Sequence, residues 1–232
     1  EIGEPTPYGF PARSSYFGII DLAGFPKDSY YLYQSEWTNR KVLHLFPHWN
    51  WIEGQTIDMW CYYNQADEVE LFVNGKSQGV RRKAHYGEAL PDATEYHVMW
   101  RVAFEPGEVK VVARKDGKQV GEQTIRTAGA PHHIVLKKTY QGTLAFGTSD
   151  PTTFVEVQVV DKDGNLCPNA DNQIFFSSDA KILGTDNGCQ TSLERFTDPH
   201  RKAFFGKCVV VLKGKGTLTA KAVDLQQAQI QL

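Results

Sequence analysis

Three carboxylates near the start of the chain, Glu4, Asp21 and Asp28, are of the residue type that glycosidic-bond cleavage uses in pairs. Such a pair works only where a barrel or cleft fixes its separation, and nothing local in this stretch does so. Asp28 reads instead as a helix-start residue, so no catalytic residue is assigned. Trp49 and Trp51 flank Asn50 in His48-Trp-Asn-Trp51. In a strand they would share one face and could stack on pyranose rings, or equally pack a sandwich against a neighbouring element. Of the seven histidines, His132-His133 and His44 with His48 invite a metal reading. Adjacent strand residues point to opposite faces, and no carboxylate or cysteine stands at ligand spacing, so no metal is expected. Asp161-Lys-Asp-Gly-Asn165 begins like a calcium loop, but its glycine is misplaced and Asn172 stands where the bidentate glutamate would be. An ordinary turn explains it. The chain has no Gly-rich phosphate loop, no Gly-x-Ser-x-Gly elbow and no Cys/His nucleophile pairing, so no cofactor is expected.

At 232 residues the chain has room for one or two domains with real cores. A net charge of −2 gives no electrostatic footprint for nucleic acid or an anionic membrane. No apolar run approaches the roughly 18 residues of a membrane helix, and no leader peptide is recognisable. Cys61, inside Met59-Trp-Cys-Tyr-Tyr63, reads as a buried thiol. A bridge among Cys167, Cys189 and Cys208 stays open, because pairing cannot be read from spacing.

The elements that must position these residues fall into three groups. The first 40 residues open with Pro5, Pro7 and Pro11, which forbid regular structure, then an apolar run Tyr16–Ile20. Pro26 and Asp28 then mark a helix start, and Tyr30, Tyr33 and Trp37 form a stripe at i, i+3, i+7. The helix should stop near Thr38-Asn39 and leave that aromatic stripe exposed. From 41 to 128 the pattern is short strands: Val42–Trp51, Thr56–Tyr63, Val69–Val73, Tyr96–Phe104, Val109–Arg114 and Gln119–Arg126. Asn74-Gly75 and Asp116-Gly117 signal tight hairpins. Trp60 and Trp100 read as core. Thr127–Pro131 is a small-residue linker, and residues 131–232 restart the strand pattern at Ile134–Thr139, Phe154–Val160, Gln173–Ser177, Lys181–Gly184, Phe204–Leu212, Thr217–Val223 and Ala228–Leu232. The polar stretch from Asp186 to Arg201 reads as a surface loop. The fold class is therefore mainly β, two antiparallel, immunoglobulin-like sandwiches behind a loop and helix.

Gly3-Glu-Pro-Thr-Pro-Tyr8, Arg13-Ser-Ser-Tyr-Phe-Gly-Ile-Ile-Asp21 and Gly24–Gln34 resemble the last loop and helix of the catalytic (β/α)8 barrel of glycoside hydrolase family 2, in particular its β-galactosidases of Bacteroides type. Leu43–Trp51 and Val69–Gly79 look like the immunoglobulin-like domain that follows that barrel. Asp186-Asn-Gly188 with Ala203–Cys208 is similar to the terminal sandwich. The resemblance implies that residues 1–40 are a barrel remnant and that both catalytic glutamates of a retaining enzyme lie upstream. It places Glu4, Tyr8 and Arg13 in the loop over the barrel mouth, near substrate. The implied partners are the barrel of the same parent chain and its glycan, with oligomer contacts as a further role and a periplasmic or secreted location. The implied job of this stretch is non-catalytic support of the barrel and active-site rim. A carbohydrate-binding or adhesion module, with Trp49 and Trp51 as its sugar platform, is the alternative. A β-glucuronidase or β-mannosidase parent would share the same domains.

Overall fold

The computed structural model describes residues 17–143 and 151–232. The chain divides into two compact units, one of Pro26–Thr127 and one of Ala128–Leu232 together with the segment ending at Phe25. Among the described residues the structure is mainly antiparallel β with a single α-helix, and no helix is long and apolar enough to cross a membrane.

In the unit Pro26–Thr127, helix α1 (Asp28–Trp37) starts one residue after Lys27 and two after Pro26, with Asp28 in its first turn. It ends where the backbone turns extended at Thr38. The Thr38 hydroxyl donates to the Gln34 carbonyl at 2.7 Å, so a threonine hydroxyl, rather than Asn39, closes the last turn. Strands β1 (Leu43–Phe46), β2 (Thr56–Tyr63), β3 (Glu68–Val73), β4 (Lys76–Arg81), β5 (Val98–Ala103), β6 (Glu108–Lys115) and β7 (Lys118–Arg126) follow. They form a sheet of order β1-β2-β5 and a sheet of order β4-β3-β6-β7. The two hairpin tips need positive φ at both central residues. Asn74-Gly75 (48° and 78°) and Asp116-Gly117 (50° and 72°) supply it. The Gln123 side chain accepts the Leu45 amide at 2.7 Å, tying β7 of one sheet to β1 of the other. Between the sheets lie Leu45, Met59, Cys61, Leu71, Val98, Trp100 and Val111, all at most 1% exposed.

Three strand expectations are corrected here. β1 stops at Phe46, because Pro47 lacks the amide that a ladder needs. β5 begins at Val98, which leaves Tyr96 in a loop. Trp60 is not core. In β2 the buried face carries Ile57, Met59, Cys61 and Tyr63, and Trp60 shares the half-buried outer face with Asp58.

The second unit has strands β8 (His133–Gly142), β9 (Thr152–Val160), β10 (Gln173–Ser178), β11 (Lys181–Asp186), β12 (His200–Lys202), β13 (Lys207–Lys213), β14 (Thr217–Lys221) and β15 (Ala228–Gln231). Their sheets run β12-β10-β14-β15 and β11-β13-β9-β8. Val155, Val157, Val159, Ile174, Val210, Leu212 and Leu218 fill the space between them. β13 starts three residues later than expected, because Phe204 and Lys207 exchange backbone hydrogen bonds in a tight turn (2.8 and 3.0 Å). Residues 17–25 belong to this unit. Its Asp21 side chain accepts the Phe25 amide at 2.9 Å. The same carboxylate lies over Gly188, where an added Cβ would come within 2.3 Å of it.

The polar stretch after β11 is not a plain surface loop. It is wound around Arg201 of β12, which is 0% exposed. The guanidinium donates to the carbonyls of Thr185 (2.7 Å) and Arg195 (2.9 Å). Glu194 approaches it at 3.7 Å, and the Phe196 ring lies 5.6 Å beneath it. A buried charge with this many partners is an anchor, and its polar sequence made it look like exterior. All four cysteines are free. Burial pushes the Cys61 thiol up to about 12 and the Cys167 thiol to about 11.

Candidate functional site

The outer face of the β1-β2-β5 sheet carries aromatic side chains that the core cannot take. Alternation along β1 and β2 puts His44, Phe46, Trp60 and Tyr62 there together. Helix α1 covers one end: Tyr31 stacks on His44 at 3.8 Å, and Asp28 accepts from or pairs with His44 Nε2 at 2.8 Å. His44 stacks in turn on Phe46 (5.3 Å), and Trp60 lies 4.3 Å from His97 at the other end.

His97 closes the long loop 82–97 between β4 and β5. There Leu32 of α1, Glu88, Leu90, Thr94, Glu95, Tyr96 and His97 line an open groove of about 560 Å³. The loop is fastened by its own polar groups. Arg82 grips Glu88 through two bonds of 2.6 and 2.8 Å, and Glu88 also accepts the His85 amide at 2.9 Å. Thr94 accepts the amides of Tyr96 (3.1 Å) and His97 (3.3 Å), and Thr94 Oγ1 sits 3.0 Å from His97 Nδ1. Glu95 accepts the Gly87 amide at 3.3 Å. On this frame Tyr96 stays 51% exposed and Tyr86 95% exposed.

The electrostatics suit binding rather than proton transfer. Arg82, and then the His85 amide, hold Glu88 down at about 2, so it stays ionised. Burial, with the Lys83 charge as a lesser cause, pushes His97 below the ordinary histidine value. A general acid for glycoside cleavage needs a carboxyl raised toward neutrality, the opposite of Glu88. Among the described residues, no group of three or more His, Cys, Asp and Glu side chains is placed to hold a metal ion.

The residues singled out from sequence are scattered by contrast. Glu4, Tyr8 and Arg13 lie outside the described residues. Trp49 is 0% exposed, packed on Phe104 at 5.0 Å, with its indole N–H donating to the Glu105 carbonyl at 3.0 Å. Trp51 is half-buried, stacked on His48 at 4.4 Å and bonded to the His48 carbonyl at 2.7 Å. The loop that carries them is not a strand, so they do not share a face, and a buried Trp49 offers no ring to a sugar. The Trp49–Trp51 platform is therefore corrected. Asp21 and Asp28 are spent on a turn and on His44. His132 precedes β8, so strand alternation does not separate it from His133, and their Nδ1 atoms lie 3.1 Å apart. Asp161 closes its turn by accepting the amides of Asp163, Asn165 and Gly129 at 2.8–2.9 Å. The helix stripe leaves an aromatic surface only in part: Trp37 is 77% and Tyr33 38% exposed, with ring centroids 4.6 Å apart, while Tyr30 is half-buried with its ring edge-on to Tyr31.

Tyr96 and His97 were missed because an apolar run counted from Tyr96 reads as strand. The usable signal was the length of the connection, 16 residues from 82 to 97 without strand alternation, beyond the roughly 12–15 at which a structureless loop calls for a function.

The described residues form two antiparallel sandwiches. Residues 138–231 match the family described as glycoside hydrolase family 2 C-terminal domain 5, and residues 54–121 match a domain of unknown function, DUF4982. The chain is 59% identical to Beta-galactosidase BoGH2A of Bacteroides ovatus over its whole length, which is 27% of that protein. A Beta-glucuronidase of Formosa agariphila is 28% identical over 69% of this chain and 16% of its own. The crystal structure of a beta-glycosidase from Bacteroides vulgatus superposes with a TM-score of 0.83 at 36% identity, covering 96% of this chain and 28% of that one. The chain belongs to glycoside hydrolase family 2, as a C-terminal region. It spans about a quarter of the length of the Bacteroides ovatus and Bacteroides vulgatus proteins.

Proposed function

We propose that this chain is the non-catalytic C-terminal region of a retaining β-galactosidase, whose two sandwiches support the catalytic barrel and its active-site rim. The observation that carries the reading is the 59% identity to a β-galactosidase across all of this chain, against 33% over 88% of it to a putative β-glucuronidase of Formosa agariphila. The electrostatics agree: Glu88 of the groove, gripped by Arg82, is held ionised and is no general acid. In a retaining mechanism the acid/base and nucleophile carboxyls stand about 5–5.5 Å apart, and the proposal puts both upstream of this stretch. Glu4, Tyr8 and Arg13 are proposed to approach the substrate from the loop over the barrel mouth.

The test is hydrolysis of aryl-β-galactoside and aryl-β-glucuronide by the longer enzyme that carries this stretch. Preference for the galactoside is expected. Preference for the glucuronide would move the proposal to a glucuronidase parent.

A further inference from the structure

Loop 82–97 has features that support of a barrel does not require. It is long, yet internally fastened, and its fastenings leave two tyrosines outward. Tyrosine gives a large, stiff, amphipathic contact surface at low entropic cost, which is why binding loops favour it. The groove is open along one side and holds about 560 Å³. We propose that this groove, on the outer side of the β1-β2-β5 sheet, is a binding site for a neutral saccharide. The inference rests on the glycosidase reading for its ligand class.

The chemistry of the walls selects that class. Leu32, Leu90 and the Tyr96 ring offer an apolar surface for the C–H face of a pyranose. The Glu95 carboxylate offers an oxygen to ring hydroxyls. The nearby cations are already engaged, Arg82 with Glu88 at 2.6 Å and Lys83 with Glu36 at 2.6 Å. An anionic ligand would find carboxylates and no free positive charge, so uronic acids are disfavoured.

The test is backbone-amide NMR of the 232-residue chain titrated with methyl β-galactoside, lactose and methyl β-glucuronide. The two neutral sugars should give saturable shifts confined to Leu32 and residues 85–97, with an affinity on the order of 1 mM. Tyr96→Ala should weaken binding about tenfold, the worth of one stacking ring. Tyr96→Phe keeps the ring and should bind like the native chain, while Tyr33→Ala on the outer side of α1 should change nothing. Absent shifts in this loop, equal binding of the glucuronide, or unchanged affinity in Tyr96→Ala would each overturn the proposal. Groove binding and hydrolytic preference are read on different samples, so either can fail while the other stands.

Discussion

The two sandwiches each carry one long polar loop, and they hold it in opposite ways. In the second unit the loop closes over Arg201, whose guanidinium takes carbonyls from Thr185 and Arg195 in a fully buried setting. In the first, loop 82–97 is pinned from outside by Arg82 on Glu88, and its aromatic rings stay in reach of solvent. A loop wound round a buried charge is anchored to its own sandwich, even though side chains such as Leu193 (72% exposed) still face solvent. A loop held by surface pairs keeps its shape cheaply and keeps its side chains available. The difference separates a structural loop from a candidate binding loop more clearly than sequence polarity does.

The sharpest way to break this comparison is to remove each anchor. Arg201→Ala leaves buried carbonyls and Glu194 without their partner, and should cost about 3–5 kcal/mol of the second unit's stability in urea. All five tryptophans belong to the first unit, so the loss should shift the far-UV circular dichroism transition and leave the tryptophan fluorescence transition in place. A shift in both would mean the two units unfold as one. Asp161→Asn should cost less, about 1.5–3 kcal/mol, because it weakens charge-assisted bonds in one turn. Burial alone would raise the Asp161 pKa, but the Asn165 side chain and the amides of Gly129, Asn165 and Asp163 bring it to about 2. Its folded pKa thus lies below that of an unfolded aspartate. Its stabilisation is complete above about pH 4 and is lost as pH falls toward 2. The native second unit should weaken across that window and Asp161→Asn should weaken less. Smallest of all, Arg82→Ala should leave the unfolding midpoint unchanged, since exposed pairs contribute little. Its effect should appear as faster amide exchange over residues 83–89. A lowered midpoint instead would make loop 82–97 part of the core.

Much of the fold was legible in the sequence because local chemistry and burial agreed. Asn74-Gly75 fixed one hairpin, and Phe154–Val160 alternates as β9 does in the structure. The fold class, mainly antiparallel β, followed from such runs. What failed did so where a side chain's type and its burial part company. Arg201 reads as exterior, yet it is buried between a half-buried His200 and an exposed Lys202, and His200–Lys202 is a strand without an apolar residue. Trp60 lies in a run apolar on both faces, where only Asp58, two residues earlier, marks the outer side. Trp49 was placed in a strand that Pro47 ends. The groove joins Leu32 to residues 88–97, a contact across sequence distance that no window of the chain contains.

If this stretch is a scaffold whose parent's catalytic carboxylates lie elsewhere, the direct test is turnover of aryl-β-galactoside by the isolated chain. No hydrolysis above the buffer rate is the predicted result, at any pH between 4 and 8. Sustained turnover by these 232 residues alone would contradict it.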